Sequence, residues 1–236
     1  FVRHADALIP EILSRGNVPV LSGGTAFYFK NFIYGLPETP PVDDGIRKQL
    51  QLELRERGAE QLFAELQDVD PYAYERLSVR DTYRITRALE VYRQTGKPLS
   101  EHAEGQHVRK NYDFLTIGLQ RPREELYRRI DNRVEAMFRK GLPAEIAGLL
   151  DRGYTKSDPG MQAIGYREFF SMREEGCVTL AGVQERIQQA SRRYAKRQIT
   201  FFSKLPGVVW FHPDDTEGIC RYIAEDKRFD NFKKVI

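Results

Sequence analysis

The stretch VPVLSGGTAFYF, residues 18–29, decides the fold that the sequence predicts. Its apolar start favours a buried strand over 17–21, and its aromatic end favours a helix that runs on to Tyr34. Between them, Gly23 and Gly24 permit a positive φ, and Thr25 can cap the helix. A strand, a glycine turn and a helix start form a common phosphate cradle, because the first helical amides and the helix dipole favour an anion. The Lys-Ser/Thr ending of a P-loop is not here, and on composition alone a plain capped turn is the preferred interpretation.

The bulk properties indicate an ordinary soluble protein. The chain has 236 residues, enough for one or two domains, with 41% hydrophobic and 30% charged residues. The net charge of +3 is too small to indicate a polyanionic partner by itself. Cys177 and Cys220 lack zinc or disulfide spacing and fit a reducing cytoplasm, and no run of eighteen apolar residues predicts a membrane span.

The start of the sequence is unusual. It opens at Phe1 without an initiator Met, and residues 2–12 already carry an apolar helical face. A chain that begins within a helix, just before a buried strand, is expected to be a fragment with residues missing upstream.

The remaining pattern predicts an α/β core interrupted by helices. Strands are expected over 113–120 and 207–211, in addition to 17–21. Helices are expected at about 2–15, 25–34, 80–95, 122–140, 143–151, 179–203 and 215–226, with a charged helical block after the Pro-rich connector at 34–44. We therefore predict an incomplete parallel-sheet core over 1–43 and 112–236, with an inserted all-helical domain over 44–111.

A first candidate for chemistry is the segment RRIDNRVEAMF, residues 128–138. Arg129 and Arg133 lie four residues apart on one helix face, and Arg133 lies beside the apolar stripe that contains Ile130 and Met137. A guanidinium at a buried edge needs an anionic partner. That partner is a core carboxylate or a ligand phosphate, and the residues alone favour the carboxylate.

Two further segments have the character of a nucleic-acid surface. In GMQAIGYREFF, residues 160–170, Tyr166 and Arg167 open a helix that either contacts RNA or packs on the core. Residues 186–204 contain no acidic residue, and nucleic-acid contact explains this better than a solvated face does. The cations off the apolar stripe there are Arg186, Arg193, Lys196, Arg197 and Lys204, and Tyr83, Arg84, Arg87, Tyr92 and Arg93 repeat the pattern more weakly. The sequence contains neither an HxxxH nor a GxSxG motif, so no motif in it indicates a self-contained hydrolase.

Together these segments resemble the tRNA dimethylallyltransferases, also called tRNA isopentenyltransferases. The matching pieces follow the family's order and span nearly the whole chain: VLSGGTAFYFKNFIYGLP (20–37), DDGIR (43–47), YRITRALEVYRQTGKPLSE (83–101), GLQRPREELYRRIDNRVEAMFRKGLPAEIAGLL (118–150), MQAIGYREFF (161–170) and RRYAKRQITFF (192–202). The resemblance implies a P-loop-kinase-like, nucleotide- and ATP-binding fold. It implies transfer of a dimethylallyl group from dimethylallyl diphosphate to N6 of the adenosine 3′-adjacent to the anticodon, assisted by Mg²⁺.

The resemblance also implies roles for single residues. Thr25 would lie in the reaction channel, and Arg133 would contact the diphosphate together with Gly23 and Gly24. No residue of the chain is assigned to a metal. The implied tRNA contacts are Thr25, Arg47, Tyr83, Arg84, Ile85, Thr86, Arg87, Gln162, Ala163, Ile164, Gly165, Tyr166, Arg167, Arg193, Lys196, Arg197, Gln198, Ile199, Thr200, Phe201, Phe202 and Ser203.

The sequence departs from the family at its start, where the GxTxxGK-type P-loop and the Asp-containing segment that supplies a general base are absent. Gly23, Gly24 and Thr25 would then form the second wall of a diphosphate site, and we expect this chain alone to be inactive. A cytoplasmic monomer is expected. Two alternatives remain: a fragment of a P-loop kinase for a small metabolite, and a non-catalytic RNA-binding module.

Overall fold

The computed structural model describes residues 1–36, 39–41, 43–103, 107–176 and 179–228. Over these residues the chain is mainly helical and contains one small sheet. The first half comprises α1 (Val2–Ser14), α2 (Ala26–Tyr34), α3 (Asp44–Arg57), α4 (Ala59–Val69), α5 (Pro71–Tyr74), α6 (Thr82–Thr95) and α7 (Leu99–Ala103). The second half comprises β1 (Thr116–Leu119), α8 (Arg123–Arg139), α9 (Leu142–Asp151), a 3-10 turn (Pro159–Gln162), α10 (Arg167–Glu174), α11 (Leu180–Phe202), β2 (Val208–Phe211) and α12 (Thr216–Glu225).

The chain folds into two compact units. The first combines residues 1–9 with 27–112, and the second combines residues 10–26 with those from Asp113 onward. The division predicted from the sequence, 1–43 with 112–236 around 44–111, stays a prediction.

The first unit is built around a helical core in which α3, α4 and α6 meet. Leu50, Leu62, Leu66, Ile85 and Leu89 are almost completely buried there. Two helix starts are capped by side chains, because side-chain oxygens of Asp43 and Asp70 accept hydrogen bonds from backbone amides at the starts of α3 and α5.

The second unit has its own core, which joins α8, α9, α10 and α11. Its buried members include Val134, Ile146, Met172, Val183 and Ile187. The apolar stripes predicted for residues 122–140 and 179–203 therefore face one another, and this packing holds α8 against α11.

The sheet is smaller than predicted. β1 and β2 pair in parallel, with Thr116 opposite Val208 and Leu119 opposite Phe211. The strand predicted over 17–21 is wrong: that segment has no regular secondary structure, and Val20 is 81% exposed. A strand needs a neighbour for its backbone hydrogen bonds, and among the described residues 17–21 pairs with neither β1 nor β2.

No helix within the described residues is long and apolar enough to cross a membrane.

Candidate functional site

The Gly23-Gly24-Thr25 turn lies exposed immediately before α2. Nε2 of Gln198, on α11, donates a hydrogen bond of 2.6 Å to the carbonyl oxygen of Gly24. A Cβ added to Gly24 would come within 2.6 Å of that same nitrogen. Neither Gly23 nor Gly24 has a positive φ, so the left-handed conformation that glycine permits is not used at this turn. The missing Cβ of Gly24 leaves room for the Gln198 side chain to reach the backbone of the turn.

This contact joins two segments that were predicted for different roles. The turn was assigned to the diphosphate, and Gln198 was assigned to tRNA. Their hydrogen bond spans 174 residues of sequence. The turn and the acid-free helix α11 are thus neighbours in the second unit.

Arg133 lies on α8 with an exposed side chain. It forms no ion pair or hydrogen bond with any described residue, so the core carboxylate that the residues alone favoured is not present there. The nearby Asp131 instead binds the Arg192 side chain of α11 and accepts from Gln188 through its carbonyl. The guanidinium of Arg133 is therefore available to a ligand. The prediction that Arg133 and the Gly23-Gly24-Thr25 turn form one diphosphate site stays a prediction.

The basic surface of α11 is shorter than the sequence predicted. Arg186 is neutralised by two hydrogen bonds to Glu175, which lower the pKa of that carboxyl group. Glu175 lies outside the acid-free segment, so the local composition did not reveal it. Further along, Arg193, Lys196, Arg197 and Lys204 are exposed and have no carboxylate partner among the described residues. We call these four residues the α11 cationic face.

The last predicted contacts on α11 have mixed exposure. Ile199, Phe201 and Phe202 are half-buried, and the two phenyl rings meet edge to face with centroids 6.2 Å apart. Thr200 and Ser203 are exposed, and their hydroxyls donate to backbone carbonyls one turn earlier. Thr200 lies on the same side of the helix as the α11 cationic face.

In the first unit, the structure brings Arg47 of α3 together with predicted contacts on α6. A cavity of about 150 Å³ is lined by Arg47, Leu50, Gln51, Tyr83, Thr86, Arg87 and Glu90. Tyr83 is 75% exposed, which leaves its ring open to stack on a base. Arg84 is also exposed and pairs with Asp81.

Ile85 is the exception among the predicted contacts of α6. Its side chain is fully buried in the core of the first unit. The Ile85 side chain is therefore not available to RNA in this structure, and a contact at this residue would be made by its backbone. The predicted contact stays a prediction. A residue range carried over from a family does not separate the outward from the inward side of a helix.

The segment 162–167 forms a loop that a buried carboxylate fixes at the start of α10. Oε2 of Glu168 accepts from the backbone amide of Gly165 at 2.8 Å, and Oε1 accepts from Nε of Arg167 at 2.9 Å. Glu168 is 5% exposed, whereas the Arg167 side chain is 50% exposed. Gly165 has a φ of +107°, a conformation that glycine adopts most easily. The contact with Glu168 thus holds the Arg167 guanidinium at its Nε atom, and the terminal nitrogens of Arg167 are left to face solvent.

The other residues of this segment divide between surface and core. Gln162 and Ala163 are exposed, whereas Ile164 and Tyr166 pack against the core of the second unit. The Tyr166 hydroxyl donates to Glu145 at 2.6 Å, which raises the pKa of the tyrosine. Gln162 and Arg167 line a cavity of about 390 Å³ together with Lys156, Met161, Phe170, Ser171 and Glu174.

A cluster at the carboxyl ends of β1 and β2 was not predicted. Arg121 donates to Glu125 at 2.6 Å and to both carboxylate oxygens of Asp214 at 2.6 and 2.9 Å. Desolvation opposes ionisation of Glu125, but hydrogen bonds from His212 and Arg121 outweigh it and lower the pKa. The cluster depends on two strands that converge, and the sequence carries no local signal for it.

Among the described residues, this cluster also has the spacing expected of a metal site, because possible ligand atoms of Glu125, His212 and Asp214 lie within 4.8 Å of one another. Both carboxylates are already bound by Arg121. A cation would have to compete with that guanidinium, so the cluster is better described as an ion-pair network than as a metal centre.

Comparison with known proteins identifies one family. The family model described as IPP transferase matches residues 1–205. A tRNA dimethylallyltransferase of Borrelia turicatae is 44% identical over 216 residues, covering 91% of this chain and 71% of the relative. One from Geobacter sulfurreducens is 45% identical over 209 residues, covering 88% and 67%.

Solved structures give the same result. The full-length tRNA isopentenylpyrophosphate transferase of Bacillus halodurans is similar with a TM-score of 0.59 and 34% identity, covering 94% of this chain and 71% of that one. A eukaryotic dimethylallyltransferase, described as acting on tRNA, gives a TM-score of 0.72 at 26% identity, covering 95% and 60%. These likenesses are consistent with the predicted P-loop-kinase-like fold with a helical domain.

Proposed function

Since the chain belongs to the IPP transferase family, we propose that it is a tRNA dimethylallyltransferase. It transfers a dimethylallyl group from dimethylallyl diphosphate to N6 of the adenosine 3′-adjacent to the anticodon. The observation that carries this proposal is the family match over residues 1–205, together with relatives named for this activity. Neither the small-molecule kinase nor the non-catalytic RNA-binding module is favoured by these relatives.

The chemistry of the leaving group explains the role proposed for Arg133. As the allylic C–O bond breaks, negative charge accumulates on the diphosphate, and groups that bind this charge more strongly in the transition state accelerate the reaction. Arg133 is exposed and has no carboxylate partner among the described residues, so its guanidinium is available for that charge. Gly23, Gly24 and Thr25 would contribute backbone amides and a hydroxyl at the same diphosphate.

The acceptor explains the cationic surfaces. The α11 cationic face and the arginines around Tyr83 would bind phosphates of the anticodon arm, and exposed aromatic side chains would stack on its bases. The target adenosine must leave the anticodon stack before its N6 can reach the allylic carbon. The loop 162–167 would contribute the exposed Gln162 and the oriented guanidinium of Arg167 to this recognition.

We propose that Mg²⁺ accompanies the diphosphate as a substrate-associated ion. The Glu125, His212 and Asp214 cluster does not fit it well, because Arg121 already binds both carboxylates. Mg²⁺ is commonly held largely by substrate phosphates and water, which requires few protein ligands. We also propose that the protein binds nucleotides, that it is located in the cytoplasm and that it is a monomer. Sedimentation tests the monomeric state.

Product analysis tests the proposed function. The full-length protein is incubated with tRNA, dimethylallyl diphosphate and Mg²⁺, and the nucleosides of the digested tRNA are identified by mass spectrometry. We expect N6-dimethylallyladenosine at the position 3′ of the anticodon. A matched tRNA with guanosine at that position should remain unmodified. Phosphorylation of a small molecule, or RNA binding without any prenylated product, would contradict the proposal.

A further inference from the structure

Glu90 is a buried carboxylate whose partners indicate a role beyond stability. It is 3% exposed and lies on α6. Its Oε1 accepts from Nη1 of Arg87 at 2.6 Å, and its Oε2 accepts from Nη2 of Arg47 at 3.5 Å. One carboxylate therefore holds two guanidinium groups from different helices, α3 and α6.

Both guanidinium groups contact Glu90, Arg87 more closely than Arg47, and both still reach solvent. Nη2 of Arg87 also donates to the carbonyl oxygen of Pro40 at 3.4 Å. The side chains of Arg47 and Arg87 are 40% and 23% exposed. Each guanidinium carries five N–H donors, so most of these donors remain available beyond the bonds to Glu90 and Pro40.

The charge balance at this point is positive. Two guanidinium groups against one carboxylate leave a net charge of +1. A second ion-pair network in the same unit is different, because Arg57 and Arg93 there face two carboxylates, Glu53 and Glu65. That network is neutral and needs no further partner, whereas the pair held by Glu90 has a surplus that an anion would balance.

The surroundings fit a phosphodiester. The cavity of about 150 Å³ that the two arginines line is also lined by the polar residues Gln51 and Thr86. Rigid guanidinium forks match phosphate oxygens in pairs, which a lone flexible cation does not. Tyr83 lies one helical turn before Arg87 and is 75% exposed, so a base attached to the bound phosphate would find a stacking surface nearby.

We propose that Glu90 is a positioning residue that holds Arg47 and Arg87 as a preformed site for one phosphodiester of the RNA backbone. The proposal rests on the proposed function, because tRNA supplies the phosphodiester. It adds two details to that function: Glu90 as the residue that positions the two arginines, and a backbone phosphodiester as the chemical group that they bind.

The first test compares Glu90→Gln with Glu53→Gln, which removes a carboxylate that likewise pairs with two arginines, Arg57 and Arg93, in the neutral network of the same unit. Affinity for a tRNA anticodon stem-loop is measured by fluorescence anisotropy, and thermal melting reports folding. Hydrogen bonds to charged groups are the strong ones, so we expect Glu90→Gln to weaken binding about tenfold. Glu53→Gln should lower the melting temperature and leave RNA affinity close to wild type.

The second test does not depend on the folding of Glu90→Gln. Arg47→Lys and Arg87→Lys keep the positive charge but lose the planar fork, and we expect each to weaken binding about fivefold. In a variant that carries both Arg47→Ala and Arg87→Ala, adding Glu90→Gln should cause little further loss, because interacting residues are not additive.

The outcomes distinguish a failure of the inference about Glu90 from a failure of the proposed function. If the wild-type protein fails to bind the stem-loop, both are overturned. If wild type binds and Glu90→Gln or the lysine variants bind equally well, the inference alone is overturned. A full additional loss from Glu90→Gln in the double-alanine background would also overturn it, since Glu90 would then act independently of the two arginines.

Discussion

Gln198 on α11 donates a 2.6 Å hydrogen bond to the carbonyl oxygen of Gly24. This contact ties the glycine turn proposed for the diphosphate to the helix proposed for tRNA. A single side chain thereby connects the two segments for which we propose substrate contacts, and its replacement should affect catalysis more than folding.

Replacing Gln198 with Glu should lower kcat/KM for dimethylallyl diphosphate about fivefold to tenfold, because the donor to Gly24 is lost and a negative charge is placed beside the turn. Steady-state prenyl transfer by the full-length protein measures this. Gln189→Glu is the control, since it adds the same charge to an exposed position of the same helix. Equal losses in both variants would show that the added charge acts on α11 as a whole.

Replacing Gly24 with Ala should weaken the same contact, because the new Cβ would lie 2.6 Å from Nε2 of Gln198 and the amide would have to move. We expect a loss of about fivefold in transfer, the size of one lost hydrogen bond. Gln198→Ala should remove the clash and make the Gly24 substitution nearly neutral in the double variant. A double variant whose losses simply add would argue against this explanation.

The structure places cations that look alike in the sequence in different surroundings. Arg193 and Arg197 have no carboxylate partner among the described residues, whereas Arg186 is paired with Glu175. Arg193→Ala with Arg197→Ala should reduce the slope of log affinity for tRNA against log salt by about two, one for each lost phosphate contact. Arg186→Ala should leave the slope unchanged. The opposite order of effects would show that the α11 cationic face is misassigned.

The stability of the first unit should depend on pH through Glu53. Hydrogen bonds from Arg93 lower the pKa of Glu53 from 4.5 to about 2. Because the folded pKa lies below the unfolded one, this stabilisation is complete above about pH 4.5 and is lost as the pH falls toward 2. Glu53→Gln should therefore lower the melting temperature at neutral pH, and the difference from wild type should shrink in acid. Glu56→Gln, an exposed substitution on the same helix, should show no such convergence.

The helices were largely predictable because their signals are local. The apolar periodicity depends on neighbours within one or two turns, and so do the caps that Asp43 and Asp70 form in the structure. The strand at 17–21 was predicted wrongly because strand formation depends on a partner elsewhere in the chain.

The sequence indicates the candidate residues of the site but not the contacts between them. Exposed cations and the glycine turn stand out in the sequence. The Gln198–Gly24 contact, the pairing of Arg186 with Glu175 and the buried Glu90 behind two arginines are tertiary contacts between distant residues. No local pattern of the sequence carries them.

The central claim is that Arg133 on α8, which has no carboxylate partner among the described residues, binds the departing diphosphate beside the proposed RNA-binding surface. The most direct measurement compares Arg133→Ala with Arg128→Ala, another exposed arginine of the same helix, for single-turnover prenyl transfer and for tRNA affinity. We predict that Arg133→Ala slows transfer about a hundredfold, the usual effect of removing one group that stabilises a developing anion, with tRNA affinity unchanged. Arg128→Ala should leave both unchanged. Wild-type transfer rates in Arg133→Ala, or a loss of tRNA affinity that accounts for the whole defect, would contradict the account.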